Sequence, residues 1–366
     1  MSAMVEVIDY EDLIQGPNEA NSISEKVEKA FGVGSVGVIA ISNVPGFVDR
    51  KAAFLPLAYQ LARLPPAYLE EELTDEESRY NTGWSHGKEK LGDKPDFAKG
   101  SFFFNPVADV AGSDEDRAKY PLSYPRNVWP DRIPGFETAA KEMGCLMKDV
   151  AVLLSKHIDA VAAKSVPNYS PSTLHDTLKD TEKVKGRLLY YFPLDSAENE
   201  PPKEDSWIGW HNDSGFLTAL AGDMYVNHET GEILSESPDP DAGLYVVNRD
   251  NEVVQIKIPR DCMAIQMGEC VQILTGGAVY ATPHCVRGAS VPGISRISFP
   301  CFIDTPPGFP LRMPPGCTRE QVLQETNRVP PLGMRWTEDG MTMGDFLNKS
   351  IAVYYDWKED DDDTAS

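Results

Sequence analysis

Apolar positions recur at helical spacing in the first half of the chain and at strand spacing in the second. Val5–Tyr10 alternates apolar and polar residues and predicts a short strand. Ser22–Phe31 is amphipathic at helical spacing, with Ser22 as N-cap and Glu25 completing a capping box; Gly32 and Gly34 end it. Val36–Ile41 is a continuous apolar strand and Asn43–Gly46 turns out of it. Asp49–Arg63 predicts a second helix, stopped by Pro65 and Pro66. Asn81–Asn105 reads as a long irregular stretch studded with aromatics, and Ala108–Tyr120 as an exposed acidic loop. Phe136–Ala163 predicts one long helix whose stripe of Met143, Met147, Val150, Leu154 and Ile158 faces a core.

From Gly186 to Asp304 the pattern becomes one of short apolar or alternating runs broken by turn residues. These are Arg187–Phe192, Phe216–Leu220, Leu244–Asn248, Val253–Ile258, Cys262–Gln266, Gln272–Leu274, Ala278–Ala281, His284–Val286 and Arg296–Ile303. Helices followed by many strands predict an α+β protein, a helix-buttressed antiparallel sandwich or barrel. Pro306–Pro331 reads as extended, and Met343–Ser350 as a last short helix.

Within the strand-rich half, Gly209–Leu220 carries His211 and Asp213 ahead of an apolar run. On a strand, residues i and i+2 share a face, so the pair can reach one metal ion. His157 and Asp159 have the same spacing but lie in the long helix, where such a pair diverges; they read as coincidence. His284 sits in another strand-like run, and two imidazoles with one carboxylate are the donor set of a facial triad on non-haem iron. Arg296 and Ser298 share a face of the following strand, and a guanidinium fork beside a hydroxyl suits a carboxylate. Tyr190 stands on an aromatic strand upstream with a phenol that could join them.

Composition narrows the classes. The 366 residues carry a formal net charge of −23, which argues against a nucleic-acid partner. Part of that charge is the Glu359–Asp363 run, expected to be a disordered, solvated tail. The six cysteines, Cys145, Cys262, Cys270, Cys285, Cys301 and Cys317, lack CxxC spacing and read as reduced thiols; Cys285, next to His284, reads as a packing residue. With no apolar run of spanning length and no secretory leader pattern, a cytoplasmic protein with no membrane partner is expected.

His-x-Asp-x-Gly-x-Leu-Thr at 211–218, the distal His284 after an Ala-Thr run, and Arg296-x-Ser298 together resemble the Fe(II)/2-oxoglutarate-dependent dioxygenases of the isopenicillin N synthase-like type. Weaker echoes lie at Val36–Gly46, Gly83–Pro106 and Gly268–Thr275, so the resemblance spans most of the chain. It implies a double-stranded β-helix, or jelly roll, over 183–305, with 1–182 packing on it, a C-terminal extension over 306–357 and the tail at 358–366. It implies that His211, Asp213 and His284 bind Fe(II), that Arg296 and Ser298 hold the far carboxylate of 2-oxoglutarate, and that Tyr190 is an extra contact. Ascorbate is an expected reductant, O2 a co-substrate, and the chain an expected monomer with a biosynthetic role.

The implied chemistry is hydroxylation, desaturation or oxidative cyclisation of a small molecule, an amino-acid-derived one for example, with release of succinate and CO2. Arg79, Tyr80, Trp84, Phe104 and Arg126 are candidate substrate-pocket residues by position. The sequence departs from the family pattern in a long insertion, Tyr225–Pro240, which reads as a lid or a surface hairpin; His228 within it reads as a surface residue. Three other readings stay open: an iron oxidase that uses no 2-oxoglutarate, a zinc hydrolase on the same three ligands, and a non-catalytic β-sandwich binding protein.

Overall fold

A computed structural model describes residues 2–17, 23–88, 90–91, 94–194, 207–248, 251–324 and 328–357. The expected Ser22 cap and the acidic tail lie outside the described residues.

Among the described residues, thirteen strands build two facing sheets. They are β1 (Ser2–Met4), β2 (Glu6–Asp9), β3 (Val38–Ser42), β4 (Gly83–His86), β5 (Lys99–Phe104), β6 (Val184–Tyr191), β7 (Ile208–His211), β8 (Leu217–Asn227), β9 (Gly243–Val247), β10 (Val253–Lys257), β11 (Met263–Met267), β12 (His284–Arg287) and β13 (Ile294–Ile303). The smaller sheet runs β1-β10-β9-β12-β7 and the larger β2-β3-β11-β8-β13-β6-β5-β4. All neighbours are antiparallel except β1 with β10 and β2 with β3.

The larger sheet has two differently used faces. The helix Phe136–Ser165 covers one, and Met143, Met147, Val150, Leu154 and Ile158 are all buried in the main core. Alternation along β6 sends Leu188 and Tyr190 into that core and Arg187, Leu189 and Tyr191 into a cavity of about 440 Å³ between the sheets. Along β13, Ile297, Cys301 and Ile303 join the core, while Arg296, Ser298, Pro300 and Phe302 line the cavity. On β8 the parity switches. Thr218 and Leu220 face the cavity before a bulge between Leu220 and Asp223; Asp223 and Tyr225 face it afterwards. Gly222, at φ 81°, supplies the left-handed residue at that bulge.

Several expected elements differ. The helix expected over Asp49–Arg63 is two, Phe47–Phe54 and Leu57–Ala62, because Pro56 has no N–H to continue the ladder. Pro66 then opens a further helix, Pro66–Glu72, at its first position. The supposedly irregular 81–105 stretch contains the hairpin of β4 and β5 and adds two strands to the larger sheet. Ala108–Tyr120 includes a helix, Asp114–Lys119, held by a Ser113–Asp116 capping box. Pro306–Pro331 includes a short capped helix, Arg319–Val322. Gln272–Leu274 belongs to a helix, Glu269–Leu274, and Ala278–Ala281 forms no strand. The last helix runs to Asp356. Among the described residues no helix is long and apolar enough to cross a membrane.

Behind the Glu269–Leu274 helix, Arg335 grips both oxygens of Glu269 through its two terminal nitrogens, and both side chains are almost completely buried. Removing one member strands the other's charge away from water. Arg335→Met should therefore lower the unfolding free energy by about 3–5 kcal/mol, read by chemical denaturation.

Candidate metal centre

His211 is the last residue of β7 and stands opposite His284, the first of β12, in antiparallel register. Their ring centroids are 4.2 Å apart. Asp213 is not on the strand with His211, as i, i+2 spacing alone would have it; the chain leaves β7 and the following loop delivers it. Asp213 Oδ1 lies 4.0 Å from Nε2 of each histidine. One ligand atom from each of the three falls within 4.8 Å of the others, as a single ion requires.

Each ligand is oriented from behind. His211 Nδ1 donates to the Gly209 carbonyl at 2.8 Å and His284 Nδ1 to that of Thr282 at 3.3 Å, leaving both Nε2 lone pairs toward the centre. The Thr218 hydroxyl donates to Asp213 Oδ2 at 2.6 Å, leaving Oδ1 for a metal. Burial, then the neighbouring His284, lowers His211 to about 4, so its imidazole is neutral at physiological pH. The chemistry of this donor set fits a borderline divalent ion such as ferrous iron.

The Asp213 loop is clamped by the start of the Glu269–Leu274 helix. The amides of Gly268, Glu269 and Cys270 donate to the carbonyls of Phe216, Asp213 and Gly215 at 2.7, 2.9 and 3.0 Å. Free N–H groups at a helix start are thus spent on the loop. Gly268 permits the approach; a Cβ there would stand 2.1 Å from the Gly215 carbonyl oxygen. Glu269 also accepts from Asn212 Nδ2 at 2.8 Å, and Tyr354 of the last helix accepts from the Asn212 amide at 2.9 Å. Gln272 fixes the other approach: its side-chain oxygen accepts from the Ala281 amide at 3.0 Å, ahead of His284.

The cavity meets all three of these residues and continues to Arg296 and Ser298. Arg296 is 5% exposed, lies over the Tyr191 ring at 4.8 Å and pairs with Asp223 through Nη2. Its Nε and Nη1 are buried without a hydrogen-bond partner among the described residues, and each of the two forks by which a guanidinium grips a carboxylate also needs the Nη2 that Asp223 holds.

The remaining predicted site residues lie elsewhere. Tyr190 points into the opposite core, its hydroxyl 2.9 Å from His228 Nδ1; one residue along the strand, Tyr191 takes the cavity side. His228 is half-buried and also 3.1 Å from Ser295 Oγ, rather than a free surface residue, and it is not part of the ligand cluster. None of Arg79, Tyr80, Trp84, Phe104 and Arg126 lines the cavity. Arg79 and Arg126 are away from it, Tyr80 lies beneath Lys88, Trp84 is buried on β4, and Phe104 stacks on Phe299 at 5.6 Å. Cys285 is buried off the cavity lining, as a packing residue would be. Sequence reasoning missed Lys51, Arg187, Asp223 and Tyr225, all cavity-lining. Arg187 was detectable from its parity with Leu189 and Tyr191; Asp223 and Tyr225 were not, because the bulge reverses the count. Glu236, Ser237 and Pro240 of the insertion form part of the cavity wall.

No family model and no curated protein matches the chain. Solved structures do. A 2OG-Fe(II) oxygenase family protein from Caulobacter crescentus superposes with a TM-score of 0.71 at 19% identity, covering 96% of this chain and 99% of that one. A full-length Neurospora crassa protein, solved with alpha-KG, gives 0.66 at 18%, covering 95% and 96%. JOX2, solved with 2OG, Fe and JA, gives 0.64 at 16%, covering 97% and 86%. The chain thus has the fold of the 2OG-Fe(II) oxygenases.

Two measurements check the site's supports. Thr218→Val should weaken divalent-metal affinity by about 10–100-fold in a direct titration, without changing the fold. Asp304, whose Oδ1 accepts from the Phe216 amide at 2.9 Å, is pushed up to about 6 by burial. A carboxyl raised in the folded state contributes stability at pH below its unfolded value, lost as pH rises through about 6. Asp304→Asn should therefore gain stability relative to wild type as pH rises from about 4 to about 6, the window separating the two values, in denaturant melts.

Proposed function

We propose that the protein is a non-haem iron oxygenase that couples oxidation of a small molecule to conversion of 2-oxoglutarate and O2 into succinate and CO2. The observation that carries this reading is the combination, in one cavity, of a two-His, one-Asp cluster with a buried arginine whose Nε and Nη1 lack partners. The fold shared with 2OG-Fe(II) oxygenases supports it, as do the ligands in the Neurospora and JOX2 structures. On this reading the two sheets are a double-stranded β-helix.

His211, Asp213 and His284 would hold the iron at the wall of the cavity they line. Bound iron with 2-oxoglutarate supplies the oxidising power. The chain's own residues bind, orient and exclude water. Arg296 and Ser298 would receive the far carboxylate of 2-oxoglutarate, with Tyr191 packed against the guanidinium. Thr218 and the two backbone carbonyls fix the ligand atoms before metal arrives. A cavity of about 440 Å³ lies within the usual range for small-ligand sites. A small organic molecule is thus the substrate class, as thymine is the ligand in another structure of the Neurospora protein.

Oxygen uptake by the Fe(II)-loaded chain, with and without 2-oxoglutarate and across a panel of small organic acids and bases, tests this. The expected result is uptake that needs 2-oxoglutarate, is matched by succinate, and disappears in Asp213→Ala. Uptake without 2-oxoglutarate would indicate an oxidase. No uptake, with hydrolysis supported by zinc, would replace the reading altogether.

A further inference from the structure

The partner that Arg296 already has is unexpected for a residue meant to receive a carboxylate. Asp223 stands opposite Ser298 in the β8–β13 register, and the bulge beside Gly222 aims it into the cavity. There it accepts from Arg296 Nη2. An incoming carboxylate would meet a cation whose charge is already matched, and a like charge alongside it.

A second cation reaches the same place. Lys51, from the helix Phe47–Phe54, lines the cavity and is 9% exposed. Its ammonium donates to the Arg260 carbonyl at 3.1 Å and stands 3.1 Å from where a Cβ on Gly222 would be. Burial lowers its pKa, and Asp223 is the first of the charges that oppose that shift. Arg260 and Asp261 also act on it with opposite signs; the Arg260 side chain turns to the Leu234 carbonyl. Asp223 thus pairs with one buried cation, Arg296, and lies beside a second, Lys51, which is adjacent to Gly222 and on which Asp223 and Asp261 both act favourably. Arg296 Nε and Nη1 are still without partners among the described residues, so the guanidinium has donors to offer a second carboxylate.

Resting on the oxygenase reading, we propose that Asp223 is a positioning residue, an internal counter-ion that the far carboxylate of 2-oxoglutarate displaces from Arg296. Lys51 receives the displaced carboxylate. The Asp223–Lys51 pair thereby sets how tightly 2-oxoglutarate binds and how well the site rejects 2-oxo acids that lack a second carboxylate. No bond is made or broken; one ion pair is exchanged for two. Because Arg296 is packed on Tyr191 and buried, it keeps its place when Asp223 loses its charge.

The test is anaerobic calorimetric titration of the Fe(II)-loaded full-length chain with 2-oxoglutarate and with 2-oxobutyrate, with metal content and thermal unfolding measured separately. Asp223→Asn should tighten 2-oxoglutarate binding by about tenfold or more, the effect of removing a neighbouring like charge. Lys51→Met should weaken it by about tenfold, and most of that loss should vanish in the Asp223→Asn background, because no carboxylate then needs rehousing. Binding of 2-oxobutyrate should be unchanged throughout. Unchanged or weaker 2-oxoglutarate binding in a folded Asp223→Asn protein would overturn the exchange and leave Asp223 a fixed structural partner. Equal shifts for both acids would also overturn it, pointing to a general field effect. If metal-loaded wild type bound neither acid, the co-substrate reading itself would fall.

Discussion

The register of one antiparallel strand pair underlies the whole site. His211 ends β7 and His284 begins β12 directly across from it, so two imidazoles from distant parts of the chain meet 4.2 Å apart. Neither side chain could be brought there by local structure alone. The third ligand depends on that pair in turn, because Asp213 follows His211 by two residues and needs only the right loop. That loop is held by backbone amides at a helix start and by the glycine that lets the two segments touch. The C-terminal helix and the buried Glu269–Arg335 pair brace the same loop through Asn212. Preorganisation of this kind fixes the ligand atoms before metal arrives.

The second constraint is the two-sidedness of the larger sheet. One face must be apolar, to bury the helix Phe136–Ser165, and the other carries the charged residues of the cavity. Alternation puts the charged side chains of β6 and β13, Arg187 and Arg296, on the cavity face only. The bulge on β8 breaks the alternation once and places an acid beside Arg296 where a regular strand would have put it into the core. A local backbone irregularity therefore decides the charge balance of the cavity.

The metal cluster was legible in the sequence because its chemistry is concentrated in few residues with a distinctive order. Arg296 and Ser298 were legible because period-two spacing holds along an unbroken strand. Absolute parity is not written in the sequence: Tyr190 and Tyr191 are adjacent, and nothing in the local run says which faces inward. Trp84 and Phe104 were misplaced for a related reason. Their segment has the look of a loop because Gly83, Gly87 and Gly100 interrupt it, yet Gly100 serves to seat the Trp84 ring against β5. Gln272–Leu274 mimics a strand because a short apolar run has no period long enough to separate helix from strand. Lys51 was invisible as a cavity residue, since only the tertiary fold brings its helix to the β8 bulge.

Anomalous diffraction from crystals of the Fe(II)-loaded protein tests the central claim most directly. One iron peak per chain is expected, coordinated by Nε2 of His211, Nε2 of His284 and one carboxylate oxygen of Asp213. Iron bound elsewhere, or these three side chains turned away from a common centre in the loaded crystal, would contradict it.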